Sequence, residues 1–208
     1  MKKIAIPALA VIAVALLLSS RAIADHHEGD AKGAAIGKAA PEFSLKDQNG
    51  KTVSLADYKG KTVVLEWFNQ GCPYVVRHYK AKTMIDTAAK YKDQDVVWLA
   101  INTTAGKTAD DNKASAESWG INYPILSDTS SSVAQAYGAK STPHMFVIDK
   151  EGKLVYKGAI DDDASAEGGN AKTNYVAKAL DETLAGKPVS TPETKSYGCG
   201  VKYQKKDS

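Results

Sequence analysis

Residues 62–75 read TVVLEWFNQGCPYV, and this stretch decides the fold of the 208-residue chain. Its first part, Thr62–Phe68, is a nearly continuous apolar run of strand length, which predicts a strand buried on both faces. A short turn leads to Cys72. Pro73 is typical of a first helical turn, because its missing N–H is not needed there. The stretch therefore predicts a strand, a turn and a helix, with Cys72 at the start of the helix.

Strand and helix patterns alternate along the rest of the chain. Asn49-Gly50 predicts the turn of an N-terminal hairpin, and Glu151-Gly152 the tip of a later one. A second buried strand is predicted at Val96–Asn102. Helices are predicted at 73–92, 110–119, 131–137 and 174–185. This order predicts an α/β fold, with a central mixed β-sheet flanked by helices and an N-terminal β-hairpin.

The composition is that of an ordinary globular chain, with 43% hydrophobic residues, 25% charged residues and only 2 cysteines. It excludes a collagen-like, disordered or disulfide-dense protein. The formal net charge is +3, but residues 1–24 hold three basic residues and no acidic one. The remainder is neutral, so there is no electrostatic case for a nucleic-acid partner.

Residues 1–24 have the pattern of a signal peptide. Lys2-Lys3 precedes an apolar stretch at 4–18, and Ala22-Ile23-Ala24 fits a cleavage site. The pattern predicts export to the periplasm or secretion. The apolar stretch is short for a membrane span, so we expect no stable membrane insertion after cleavage; a retained anchor is the alternative.

The mature chain divides into three parts by composition. Residues 25–40 are polar and rich in Gly and Ala, which predicts a flexible lead-in. Residues 41–186 hold the predicted elements of one domain. Residues 187–208 form a tail that carries the second cysteine, Cys199. An exported protein meets an oxidising compartment, in which two cysteines can form a disulfide.

Cys72 is the strongest candidate for chemistry. A sulfur at a helix N-terminus faces unpaired N–H groups and the positive end of the helix dipole, and both favour the thiolate. A thiolate is the nucleophile that attacks peroxides and disulfides. The alternative is a small buried hydrophobic residue, a common environment for cysteine.

Three motifs in this order resemble the thioredoxin-fold superfamily: WFNQGCPYV (67–75), STPHMFVID (141–149) and DKEGKLVYKG (149–158). Within it, the N-x-x-C-P-Y-V site and the tail around Cys199 resemble the peroxiredoxin-like subgroup, also named redoxin or alkyl hydroperoxide reductase–thiol-specific antioxidant. The resemblance covers roughly residues 41–186. It implies a thioredoxin-like fold and a thiol-based oxidoreductase with no organic cofactor.

The resemblance also implies roles for single residues. Cys72 would attack a peroxide or the disulfide of a partner protein, and an external dithiol reductant would reset the enzyme. Thr142 and Pro143 match the segment whose cis-proline lets a substrate strand pair beside the sulfur. Asn69 stands where relatives have a Thr that orients peroxide, and its amide can replace those hydrogen bonds. Glu66 matches a buried acid that relays protons; a Glu turned to solvent or paired with Lys is the alternative.

Cys199 is the hypothesised resolving thiol. The thioredoxin-type pair is C-x-x-C, but Val75 occupies the second position here. A disulfide between Cys72 and Cys199 during turnover would supply the missing partner. A permanent structural disulfide and a bond between chains are the alternatives.

Two other classes of function stay open. Cys72 and His144 offer at most two ligands to copper, so a metallochaperone is possible and no metal site is predicted. A binding module that has lost its chemistry is the third class. Arg77 and His78 are interpreted as a solvated helix face, and residues 161–163 as a solvated acidic loop.

Overall fold

The structure, a computed structural model, describes residues 33–204. Residues 1–24, with the predicted signal peptide, therefore lie outside the described residues. Residues 33–204 contain nine strands: β1 (Ser44–Lys46), β2 (Thr52–Ser54), β3 (Thr62–Phe68), β4 (Val96–Asn102), β5 (Ile125–Ser127), β6 (Ser141–Thr142), β7 (Met145–Ile148), β8 (Leu154–Gly158) and β9 (Cys199–Gly200). The helices within the same range are α1 (Pro73–Lys80), α2 (Thr83–Tyr91), α3 (Ala109–Trp119), α4 (Ser132–Tyr137) and α5 (Tyr175–Leu184).

Seven of these strands form one mixed sheet in the order β2-β1-β5-β4-β3-β7-β8. Strands β3 and β4 run parallel over their full length, and β5 continues the parallel part. The hairpin β1–β2 joins one end through β1 and β5, and the hairpin β7–β8 forms the other end. The expected mixed sheet and N-terminal hairpin are both present, and the central position of β3 explains its apolar character.

The two faces of the sheet carry separate cores, because successive side chains of a strand point to opposite sides. In β3, Val64 and Phe68 pack with the side chains of α1, α2, α3 and α5. Val63, Leu65 and Trp67 pack on the other face, with α4 and the N-terminal hairpin. Glu66 lies between Val64 and Phe68 in the strand and points to the same face, so its carboxyl group lies in the core beneath α1.

The helical stretch predicted at 73–92 is two helices. Helix α1 ends at Lys80. The N–H of its C-cap, Ala81, donates to the carbonyl oxygen of Arg77, and Lys82 then adopts a left-handed φ of 57°. Neither a glycine nor a proline marks this break in the sequence. The break changes the direction of the chain, so that α2 can pack Met84 and Tyr91 into the core.

Chain segments at both ends of the domain pack against it. Ala34 and Ala40 are buried, so the folded part begins earlier than residue 41. In the tail, β9 pairs antiparallel with β6, and the Tyr203 hydroxyl donates to the carbonyl oxygen of Ala139 at 2.5 Å. Among residues 33–204, no helix is long and apolar enough to cross a membrane.

Candidate active site

Cys72 occupies the N-cap position of α1, at the exit of the central strand β3. Its Sγ–H donates to the carbonyl oxygen of Thr142 at 2.9 Å, and its own carbonyl accepts the first helical hydrogen bond, from Val76 N–H at 2.9 Å. Only 1% of the residue is exposed. The sequence-based position of Cys72 is thus correct, and the sulfur is more enclosed than the helix-start argument implies.

Asn69 shapes the turn that delivers Cys72. Its carbonyl oxygen accepts the Cys72 N–H at 3.0 Å, and its side-chain Oδ1 accepts the Gly71 N–H at 2.8 Å. The oxygen of the amide is therefore engaged by the turn, which leaves the NH₂ as the group free for an oxidant. A role in orienting peroxide stays a prediction, now limited to donation from Asn69 Nδ2.

The second cysteine lies next to the first. Strand β9 pairs with β6 so that Cys199 is opposite Thr142, the residue whose carbonyl accepts the Cys72 thiol. The Thr142–Pro143 peptide bond is cis, as the resemblance implies. Both cysteines are free thiols. The chain's own tail thus occupies the edge on which an added peptide strand would pair.

The two sulfurs have opposite pKa shifts. Burial alone would raise the pKa of Cys72, but hydrogen bonds from the Cys199 thiol, the Thr142 hydroxyl and the Val75 N–H outweigh it, so the net pKa is lowered. Burial and the neighbouring Cys72 sulfur raise the pKa of Cys199 to about 11. The pair therefore favours one thiolate, on Cys72, with Cys199 as the protonated donor.

We expect the alkylation rate of Cys72 to rise with pH about a midpoint lower than that of a cysteine in the unfolded chain. Replacing Cys199 by Ala removes a donor to the thiolate, so this midpoint should move up. Rates with iodoacetamide, followed at each residue by mass spectrometry, measure both midpoints, and the chain unfolded in urea is the reference. A native midpoint at or above that reference would contradict the electrostatic argument.

Glu66 is fully buried within a set of aromatic hydrogen-bond donors. Its carboxyl oxygens accept from Tyr79 Oη at 3.0 and 3.1 Å and from Trp98 Nε1 at 3.0 Å. The Tyr79 hydroxyl in turn lies 2.9 Å from that of Tyr123. Burial raises the pKa of Glu66 to about 7, although hydrogen bonds from these neighbours oppose the rise. The alternative of a Glu turned to solvent or paired with Lys is wrong.

The helix face after Cys72 is not solvated, which corrects the interpretation of Arg77 and His78. The His78 side chain is 1% exposed and that of Arg77 11%. Asp161 is also buried, so the acidic loop is not a simple solvated one. These groups converge on the phenol of Tyr197, a residue that the sequence analysis missed. Its position two residues before Cys199 was the available signal.

His144 is buried beside Pro143, with its ring 4.4 Å from the ring of Phe146. Its Nδ1 accepts the Lys140 N–H at 3.2 Å. Burial, followed by the nearby lysines, lowers its pKa to about 3, so the imidazole is neutral. Within residues 33–204, no group of three or more His, Cys, Asp or Glu side chains is arranged to hold a metal ion.

Residues 36–157 match the model of the AhpC/TSA family, which is more than half of the chain. The thiol-disulfide oxidoreductase ResA of Bacillus subtilis (strain 168) is 36% identical over 126 residues, which are 57% of this chain and 64% of the relative. ResA of Geobacillus thermodenitrificans (strain NG80-2) is 35% identical over 120 residues, 58% of this chain and 67% of the relative. This chain thus spans about two thirds of these relatives' length.

Solved structures confirm the fold. A hypothetical protein from Sinorhizobium meliloti 1021 aligns with a TM-score of 0.76 at 31% identity, covering 84% of this chain and 97% of that one. An uncharacterized conserved protein from Geobacillus kaustophilus aligns with a TM-score of 0.77 at 30% identity, covering 85% and 96%. A thioredoxin family thiol:disulfide interchange protein from Chlorobium tepidum TLS, at 21% identity and a TM-score of 0.56 over 75% of this chain and 99% of that one, shares the fold. The fold is thioredoxin-like.

Proposed function

Because this chain belongs to the AhpC/TSA family, we propose that it is a thiol-based oxidoreductase in which Cys72 attacks the substrate and Cys199 resolves the product. The single observation that carries this proposal is the pairing of β9 with β6. It sets Cys199 opposite Thr142, whose carbonyl oxygen contacts the Cys72 sulfur. Two sulfurs so placed can form a disulfide once the substrate has oxidised Cys72.

With a hydroperoxide, the reaction proceeds in two steps. The Cys72 thiolate attacks one peroxide oxygen; an S–O bond forms, the O–O bond breaks, and the alcohol or water leaves after taking a proton. The Cys199 sulfur then attacks the Cys72 sulfenic acid; an S–S bond forms, the S–O bond breaks, and water leaves. An external dithiol reduces the Cys72–Cys199 disulfide and is itself oxidised to a disulfide.

With a partner's disulfide, the Cys72 thiolate attacks one sulfur and expels the other as a thiolate. Cys199 then attacks the Cys72 sulfur of the mixed disulfide and releases the second partner thiolate. The names of the ResA relatives favour this substrate. The 1% exposure of Cys72 and the tail strand on β6 favour a small oxidant instead, because a protein substrate would have to displace the tail. We therefore place hydroperoxide first and a protein disulfide second.

Glu66 and the Thr142–Pro143 segment have supporting roles in this proposal. The buried carboxyl, with a pKa of about 7, can gain and lose a proton near neutrality. Its hydrogen bonds lead to the Tyr79 hydroxyl of α1 and on to that of Tyr123. Export completes the proposal: the signal pattern of residues 1–24 would bring the protein to the periplasm or outside the cell.

The decisive experiment oxidises the reduced protein with one equivalent of hydrogen peroxide and maps the products by mass spectrometry. We expect a Cys72–Cys199 disulfide in the wild type. In Cys199→Ser, a sulfenic acid should accumulate on Cys72 and react with dimedone. The same variant, given a disulfide-bonded protein instead, reports the second substrate as a mixed disulfide on Cys72. If Cys72 forms neither the sulfenic acid nor the mixed disulfide, the proposal is overturned.

A further inference from the structure

A buried polar pocket holds the phenol of Tyr197. The Tyr197 hydroxyl donates to the carboxylate of Asp161, and it accepts from Arg77 Nη2 at 3.1 Å. Nε2 of His78 lies 3.1 Å from the same oxygen. Burial, followed by the charge of Arg77, lowers the pKa of His78 to about 4, so the imidazole is neutral and its Nε2–H can donate. We name the side chains of Arg77, His78 and Asp161 the phenol pocket.

The phenol pocket connects the two elements that carry the thiols. Arg77 and His78 lie on α1, the helix that Cys72 begins, whereas Tyr197 lies two residues before Cys199 in the tail. The guanidinium carbon of Arg77 is 5.5 Å from the centre of the Tyr197 ring, which adds a cation–π contact. This connection is separate from the hydrogen bonds of the β6–β9 ladder.

Gly198 links Tyr197 to Cys199 and packs against the backbone of Thr142. It adopts a φ of 122°, a conformation that side chains rarely adopt, and a Cβ atom there would overlap the carbonyl oxygen of Thr142. The tail therefore lies directly on the backbone beside Cys72. Only one residue separates Tyr197 from Cys199, so a displacement of the phenol must displace the second thiol as well.

We propose that Tyr197 is a positioning residue, which docks in the phenol pocket and thereby holds Cys199 against Cys72. This inference rests on the proposed function, since it assumes that the two thiols form a disulfide. It adds a specific cause for their proximity. The β6–β9 ladder has only two residues in each strand. Thr194 and Tyr203 also hold the tail, and of these side-chain contacts that of Tyr197 is the nearest in sequence to Cys199. The anchor raises the effective concentration of Cys199 at Cys72.

The test is the equilibrium between the protein dithiol and glutathione disulfide, which yields the protein disulfide and two molecules of glutathione. Tyr197→Phe keeps the aromatic ring but removes the hydrogen bonds of the hydroxyl. We expect the equilibrium constant for the Cys72–Cys199 disulfide to fall about tenfold, as for the loss of one or two hydrogen bonds. Tyr58→Phe is the matched control, because Tyr58 packs on the opposite face of the sheet, and it should leave the constant unchanged.

A second variant reaches the same contact from the backbone. Gly198→Ala keeps the phenol and its pocket, but its Cβ atom pushes the tail away from Thr142, so it should lower the constant as well. Circular dichroism and thermal unfolding of the reduced proteins show that each variant is folded. An unchanged constant in folded Tyr197→Phe would overturn the anchoring role alone. A wild type that forms no Cys72–Cys199 disulfide with either glutathione disulfide or hydrogen peroxide would overturn the proposed function, and the anchor with it.

Discussion

Cys72→Ser is expected to reduce the consumption of hydrogen peroxide, with a dithiol reductant present, to the rate of buffer and reductant alone. Cys72 is the sulfur whose pKa is lowered by the surrounding donors, whereas burial and Cys72 raise the pKa of Cys199 to about 11. A serine hydroxyl at residue 72 is a far weaker nucleophile at neutral pH than a thiolate, because the groups of residues 33–204 that contact this position, from Thr142, Cys199 and Val75, include no general base. Peroxide concentration followed over time measures the effect.

Cys199→Ser is the control that separates the two sulfurs. It should consume about one equivalent of peroxide in a first phase and then slow strongly, because Cys72 can still attack but its sulfenic acid lacks the internal partner. Equal losses in that first phase for Cys72→Ser and Cys199→Ser would indicate that both thiols are needed for the attack itself. Full activity of Cys72→Ser would exclude Cys72 as the attacking residue.

Between about pH 4.5 and pH 7, Glu66→Gln is expected to remove a contribution to the free energy of unfolding that falls as the pH rises. Stability should then rise more steeply with pH, because the lowered pKa values of the buried His78 and His144 act in the opposite direction. The carboxyl group is fully buried, and burial raises its pKa from 4.5 to about 7. A pKa that is higher in the folded state favours the protonated form in the fold. Its stabilising contribution is therefore fully present below pH 4.5 and is lost as the pH rises through 7. The difference corresponds to about 3 kcal/mol.

Glutamine is the suitable replacement, because its amide oxygen can accept from Trp98 while its NH₂ donates to the Tyr79 hydroxyl. Urea unfolding at several pH values gives the free energy of unfolding for both proteins. Glu117→Gln, on the exposed part of α3, is the control and should leave the pH profile of the wild type unchanged. The same slope between pH 4.5 and 7 in wild type and Glu66→Gln would show that this carboxyl does not titrate in the fold.

The strands β3 and β4 are predictable from sequence because their apolar runs are continuous, and each forms over the predicted residues. The break between α1 and α2 is not predictable, since the left-handed conformation at Lys82 lies in a stretch without glycine or proline. It arises because two helices can pack Tyr79, Met84 and Tyr91 into the core, whereas a straight one would carry its second half away from the sheet.

The polar residues that were predicted to be solvated but are buried have one common reason for their burial. Arg77, His78 and Asp161 have the side chains of a solvated surface, and local pattern alone assigns them to it. They are buried because the tail, distant in sequence, covers them with Tyr197 and supplies a phenol that their charges and lone pairs can engage. A buried polar group needs a partner, and the partner's identity is decided by chain segments that no local window contains.

The sequence by itself determined that a strand, a turn and a proline-started helix would bring one cysteine to the helix N-terminus, because such signals act over a few residues. Only the tertiary structure decided that Cys199 lies beside Cys72. It also decided that the chain's own tail pairs with the strand that ends at the cis Thr142–Pro143 bond. The physical reason is that closing a loop across most of the chain depends on contacts at its two ends. Here those contacts are the β6–β9 hydrogen bonds and the docked phenol of Tyr197.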